Sequence, residues 1–166
     1  MNHLSIKIEN LKEKIESAFS KVPLPHDEYL LSPACQDESD IEDFKGKNWK
    51  RWQDIPEQVI DCNYSSLPFL SPSALCFFLP AYLMYGLNHM NSSVLEFTIY
   101  KLIAPNNSKD KELSELFISW TTQLTFDQKI AVTLFLTYIK ENFEYLSNDA
   151  NEALESYWNN SKIINY

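Results

Sequence analysis

Two runs of carboxylates hold the side chains best placed to do chemistry. Asp37, Glu38, Asp40, Glu42 and Asp43 lie close together, and Glu141, Glu144, Asp149, Glu152 and Glu155 follow with no base between Lys140 and Lys162. Clustered acids can hold a divalent cation, face a basic partner, or simply stay in water. A calcium loop needs alternating oxygen ligands, a glycine at its turn and a distal bidentate Glu. The first run has Ile41 where such a turn would fall, so no metal is expected there. Two readings remain: a solvated face paired with Lys45, Lys47 and Lys50, or a docking surface for a basic protein. The second run is a secondary candidate patch. On one face with the first, it would make a strongly negative surface.

Other chemistry is sparse. Phe44, Lys45, Lys47, Trp49, Lys50, Arg51 and Trp52 interleave bases with aromatics, a pattern that also holds single-stranded nucleic acid. Here it adjoins five acids in a chain of net charge −9, so no nucleic-acid partner is expected. Trp49 and Trp52 are expected in the core, with their lysines in water. Cys35, Cys62 and Cys76 are odd in number and form no C-x-x-C, which reads as reduced thiols. Cys76 lies in an apolar segment and is expected to be inert, with Tyr82 and Tyr85 as core residues. His3, His26 and His89 are isolated from one another. Phosphate-cradling glycine motifs, a G-x-S-x-G elbow and H-E-x-x-H are all missing. No catalytic residue and no cofactor is assigned. An enzyme whose site is assembled by the fold stays open.

The elements that position these residues read as helices. The chain has 166 residues, of which 45% are hydrophobic and only two, Gly46 and Gly86, are glycine. That length suits one domain with a sizeable core. So few glycines disfavour tight-turned β architectures. From Cys62 to Leu95 there is no Asp, Glu, Lys or Arg. Its densest part is too short and too interrupted by Pro72 and Pro80 to span a membrane, so a buried central helix over Leu75 to Leu87 is expected. Ser71-Pro72 caps it, and Pro80 predicts a kink or break near Leu79. Leu4, Ile8, Leu11, Ile15 and Ala18 predict a first helix over Leu4 to Ser20, ended by Val22-Pro-Leu-Pro25. A short helix is expected at Ser39 to Phe44, and another opened by Asp54 and Pro56. Ser92 or Ser93 caps a helix through Val94, Phe97 and Leu102. Ala104 to Ser108 forms a polar loop, and Leu113, Leu116, Phe117 and Trp120 mark the next helix. Thr125 and Gln128 form a capping box, with Ile130, Ala131, Leu134, Phe135 and Tyr138 on one face of the helix they open. Ala150, Ala153, Leu154, Tyr157 and Trp158 predict the last. The fold class is therefore all-α, a single domain (1–166) of about six to eight helices.

Several short elements, in this order, resemble a bacterial family known only as domain of unknown function 6714. They are Ala18-Phe-Ser-Lys-Val-Pro-Leu-Pro25, Phe44-Lys-Gly-Lys-Asn-Trp49, Leu70-Ser-Pro-Ser-Ala74, Phe78-Leu-Pro-Ala-Tyr82, Leu124-Thr125 with Gln128, and Tyr157-Trp158. The chain has Ser73 where that pattern has Glu. The resemblance implies a small bacterial cytosolic protein and carries over no catalytic residue.

The first nine residues lack the apolar run of a secretory signal, which again reads as cytoplasmic. A small, acidic chain without catalytic motifs is expected to be a protein-binding module. The reading taken is an immunity or antitoxin-type protein that neutralises a toxin through its basic surface, with no membrane partner. Asp37, Glu38, Asp40, Glu42 and Asp43 are the first candidates for that contact. The alternatives are a helical scaffold or regulatory subunit, or an enzyme of unrecognised type. The oligomeric state is not legible.

Overall fold

The charge-free stretch forms the axis of the molecule. In the computed structural model, residues 3–35, 37–106 and 109–159 are described, with side chains from residue 7 onward. The side chain of Leu4, and Asn107, Ser108 and Lys162, lie outside them. Among these residues the α-helices are α1 (His3–Ala18), α2 (Glu57–Cys62), α3 (Pro72–Asn88), α4 (Ser93–Leu102), α5 (Lys111–Thr121), α6 (Phe126–Asn142) and α7 (Glu144–Ala153). Short 3-10 turns fill much of the stretch between α1 and α3, and α7 runs on into a π turn over Leu154–Trp158. The only β pairing described is a single antiparallel bridge between Leu31 and Leu70.

Helix α3 is apolar on every side and is buried accordingly: only Met84 and Tyr85 of its inner turns reach partial exposure. A helix without a polar face must be covered all round. Helices α1, α2, α4 and α5 and the turn at Trp52–Asp54 supply that cover. Helix α6 forms a second packing centre, touching α1 and α7, and α7 closes back onto α4. The α1 stripe docks through Leu11, Ile15 and Phe19, all buried. Gly86 sets how closely α4 approaches α3, because a Cβ there would lie 3.0 Å from Leu95 Cδ1.

The caps explain the register. Ser71 Oγ accepts from the Ala74 amide at 3.2 Å and donates to the Tyr29 carbonyl at 2.5 Å. One hydroxyl therefore starts α3 and ties it to the incoming chain. Ser71→Ala is expected to destabilise the protein by about 0.5–2 kcal/mol, the usual range for a lost N-cap. Urea unfolding followed by circular dichroism measures this, and a change under about 0.3 kcal/mol would contradict it. Ser92 caps α4. Thr125 and Gln128 form the reciprocal capping box, and Gln128 Nε2 also donates to the Ala18 carbonyl at 3.2 Å, joining the start of α6 to the end of α1.

Some expectations change. Helix α3 continues through Pro80 without a break, held by the packing around it. Asp54 does not cap α2. Its carboxylate accepts from the Arg51 backbone and guanidinium, both at 3.0 Å, and Pro56 occupies the N-cap position. Leu134 is exposed, because α6 turns Ala131, Val132, Phe135, Leu136 and Ile139 inward and leaves that side uncovered. Phe97 and Leu113 are exposed too. Trp52 is buried as expected, while Trp49 is half-buried with its ring edge-on to Phe78 at 6.1 Å.

Candidate functional site

The first acidic run lies on a 3-10 turn, Glu38–Phe44, anchored by buried Ile41 and Phe44. Phe44 meets Phe78 of α3 with ring centroids 4.5 Å apart. Three of the five acids are engaged locally. Asp37 accepts from the Ser39 amide at 2.9 Å, and the Ser39 side chain, with that amide, holds its carboxyl below the ordinary value. Glu38 pairs with Lys45. Asp43 accepts from the Asn63 side chain at 3.0 Å, fastening the turn to the end of α2. Glu42 is exposed, Asp40 half-buried, and Lys47 and Lys50 stand in water.

The second run is spread over α6, α7 and the π turn. Glu141 pairs with Lys7 of α1, and Glu155 accepts from Asn151 at 2.9 Å. Glu144 and Glu152 are exposed, and Glu144 sits in the first turn of α7, where a negative charge suits the helix dipole. The two runs are built on different supports: the first against α2 and α3, the second against α4 and α6. Among the described residues no three His, Cys, Asp or Glu side chains converge to hold a metal ion.

The structure gathers a set of side chains that the sequence reading passed over. Exposed Tyr64 packs edge-on against Phe97 of α4 at 5.1 Å, and Phe97 meets Tyr100 one turn on at 6.3 Å. Tyr145 of α7 is 57% exposed. Carboxylates border this row. Glu96 accepts from the Tyr100 hydroxyl at 2.9 Å, and that bond, reinforced by Asp149, raises the Tyr100 phenol above its ordinary value. Desolvation, with Glu96 again contributing, does the same for Tyr145. Thus Asp149 is the member of the second acidic run that joins a larger arrangement: aromatics in the middle, negative charge at the edge. Helical spacing placed Phe97 on this helix without deciding its exposure. Its exposure follows from α4 having no helix over that face.

Two concavities flank α3. One is an open groove of about 850 Å³ where the end of α1 meets the starts of α3 and α6. Ala18, Val22, Ser73, Thr125 and Gln128 line it, so several of the elements that carry the family resemblance meet there. Most of their polar groups are already used in caps, and Ser73 Oγ lies 3.2 Å from Ser71 Oγ. The other is a smaller, mainly apolar pocket of about 320 Å³ between α4, α5 and the start of α3, lined by Leu75, Phe97, Lys101, Leu116, Phe117 and Trp120 among others.

Cys35 lies within electrostatic reach of the Lys101 ammonium. Cys76 is buried, and burial pushes its thiol up to about 11. Cys35 is half-buried and Cys62 exposed. Tyr82 is buried with its hydroxyl donating to the Asn63 carbonyl at 2.6 Å, and Tyr85 donates to Asp61 at 2.9 Å. Both are structural. No helix among the described residues is long and apolar enough to cross a membrane.

Over residues 7–162 the chain matches the family described as "Family of unknown function (DUF6714)", and it belongs to that family. No curated protein and no solved structure matches it.

Proposed function

We propose that this DUF6714 member is a protein-binding module of the immunity or antitoxin type, which neutralises a basic toxin domain by covering it. The observation that carries the reading is the exposed row Tyr64, Phe97 and Tyr100, bordered by Glu96 and Asp149. Aromatics of this kind supply most of the energy of a protein interface when a partner desolvates them. A negative border speeds encounter with a basic partner and rejects acidic ones. The net charge of −9 acts in the same direction over longer range. The acids at Asp37, Glu38, Asp40, Glu42 and Asp43 keep a role in steering. Three of them are already engaged within the protein, which leaves less for a partner to gain.

The test is capture of partners from the native lysate at low and high salt, followed by binding and toxicity assays on the captured protein. The expected result is a basic protein that is toxic when expressed alone and silenced by the wild-type chain. Phe97→Ala with Tyr100→Ala is expected to weaken that complex by about 100-fold or more. Neutralising Asp37, Glu38, Asp40, Glu42 and Asp43 to Asn or Gln is expected to slow association and flatten its salt dependence, with a smaller loss of affinity. A complex untouched by the aromatic double variant would remove α4 from the interface. Capture of no stable partner at either salt would overturn the binding-module reading.

A further inference from the structure

We propose that the pocket between α4, α5 and the start of α3 binds a small organic carboxylate, with its charged end at Lys101 and its apolar body against Leu75, Leu116, Phe117 and Trp120. Two independent features of the pocket point to an anionic, largely apolar ligand. The first is Lys101. It is half-buried, its ammonium lies 5.9 Å from the centre of the Trp120 ring, and among the described residues no carboxylate is in ion-pair reach of it. The one ionisable group that acts on it is the Cys35 thiol, and a cation drawn out of water without a carboxylate partner is unusual, because desolvation disfavours the charged form. Burial accordingly pulls the Lys101 ammonium down to about 8. The second is Trp120. Its side chain is 1% exposed, it lines the pocket, and its indole N–H has no acceptor among the described residues. Buried donors are nearly always satisfied, so an orphan one beside a cavity invites an acceptor.

The remaining lining fixes the ligand class. Apart from Lys101 and the Trp120 indole, its polar groups are the hydroxyls of Ser32, Ser119 and Tyr100, of which Ser119 donates to the Leu116 carbonyl and Tyr100 to Glu96. No second cation is present to hold a phosphate. The volume of about 320 Å³ sits at the small end of ligand pockets and suits a body the size of one aromatic ring with a short chain. Charge complementarity supplies the orientation: carboxylate towards Lys101 and the indole N–H of Trp120, ring towards Leu75, Leu116 and Phe117. This site shares Phe97 and Tyr100 with the proposed partner contact, but its test needs only the chain itself.

The experiment is isothermal titration of the purified protein with 3-phenylpropionate, its neutral amide 3-phenylpropionamide, and acetate. The acid is expected to bind, the amide to bind at least about tenfold more weakly, and acetate to show no measurable binding, since it lacks the apolar body. Lys101→Met is expected to weaken the acid by about tenfold or more and leave the amide unchanged. Leu116→Trp, which fills the cavity and keeps the lysine, is expected to abolish binding of both, with circular dichroism confirming that each variant is folded. Equal binding of acid and amide, no binding of the acid at millimolar concentration, or an unchanged affinity in Lys101→Met would each overturn the proposal.

Discussion

Replacing Trp158 by alanine is expected to destabilise the protein by about 4–5 kcal/mol, a large fraction of the roughly 5–15 kcal/mol that holds a domain of this kind together. Three losses add. Trp158 is wholly buried, so removing its ring leaves a cavity beside Trp120, Phe117 and Tyr157. Its ring lies 6.0 Å from Trp120 and 6.5 Å from Phe117, a cluster that fastens the end of the chain to α5. Its indole N–H donates to the Leu102 carbonyl at 2.8 Å, closing the last turn of α4. Without it that carbonyl loses its partner in a dry environment, at about 1 kcal/mol or more. Trp158→Phe separates the terms: it keeps much of the volume and removes the donor, and should cost about 1–2 kcal/mol. Urea unfolding by circular dichroism measures both. A cost below about 1 kcal/mol for the alanine variant would mean that the π turn does not belong to the cooperative unit.

That turn shows how unevenly the fold could be read from the chain. Ala150, Ala153, Leu154, Tyr157 and Trp158 were legible as a helix face because the signal is local and periodic. The same holds for Ser71-Pro72, Ser92 and the Thr125–Gln128 box, each of which satisfies helix-end amides through its own short-range geometry. Which residues of a periodic set end up covered was less legible: Phe97, Leu113 and Leu134 are exposed. Their spacing places them on a helix face, but whether another element covers that face depends on tertiary packing. Asp54 was misassigned for a related reason: a guanidinium three residues away competed for its carboxylate and won.

The candidate sites were less legible than the fold. The acidic runs stand out in the sequence because charge is easy to count. Which carboxylates are already engaged is set by Asn63, Lys45 and Lys7, and of these Asn63 and Lys7 are distant in the chain. The aromatic row needs Tyr64, after α2, to meet Phe97 on α4, a contact with no local signature. Lys101 did carry a signal. It sits in Ile99-Tyr-Lys-Leu-Ile103, a lone cation inside an apolar run. A lysine so placed either snorkels to water or stays beside apolar groups, and only the placing of Trp120 of α5 beside it decides between them.

Lys101 also carries the second large expected effect, an increase in stability on removing a charge. With its ammonium drawn down from 10.5 to about 8, the folded protein at pH 7 holds a proton its surroundings disfavour, at a cost of about 3 kcal/mol. Lys101→Met keeps the length of the side chain and removes that cost. It also removes the attraction between the ammonium and the Trp120 ring, worth about 1–2 kcal/mol. The net expectation is a gain of about 1–2 kcal/mol at pH 7. The sign with pH follows from proton counting. Between pH 8 and 10.5 the unfolded chain keeps the lysine proton while the folded protein releases it, so the wild type gains stability from this group as pH rises. The advantage of Lys101→Met should therefore be full below pH 8 and shrink steadily above it. Cys76 and the tyrosines Tyr85, Tyr100, Tyr138 and Tyr145 act in the opposite sense as the solution becomes more alkaline, because the fold holds their protons more tightly than the unfolded chain does. They are common to both proteins and do not act on Lys101, so they cancel in the difference; Cys35, which does act on it, is replaced by serine in both proteins. Urea unfolding of the pair at pH 7 and pH 9.5 is the measurement. A variant less stable than wild type at pH 7 would show that the Trp120 ring already compensates the charge, and a gap that does not narrow at pH 9.5 would show that the ammonium is not desolvated. Either result would also remove the unsatisfied cation on which a carboxylate ligand in this pocket depends.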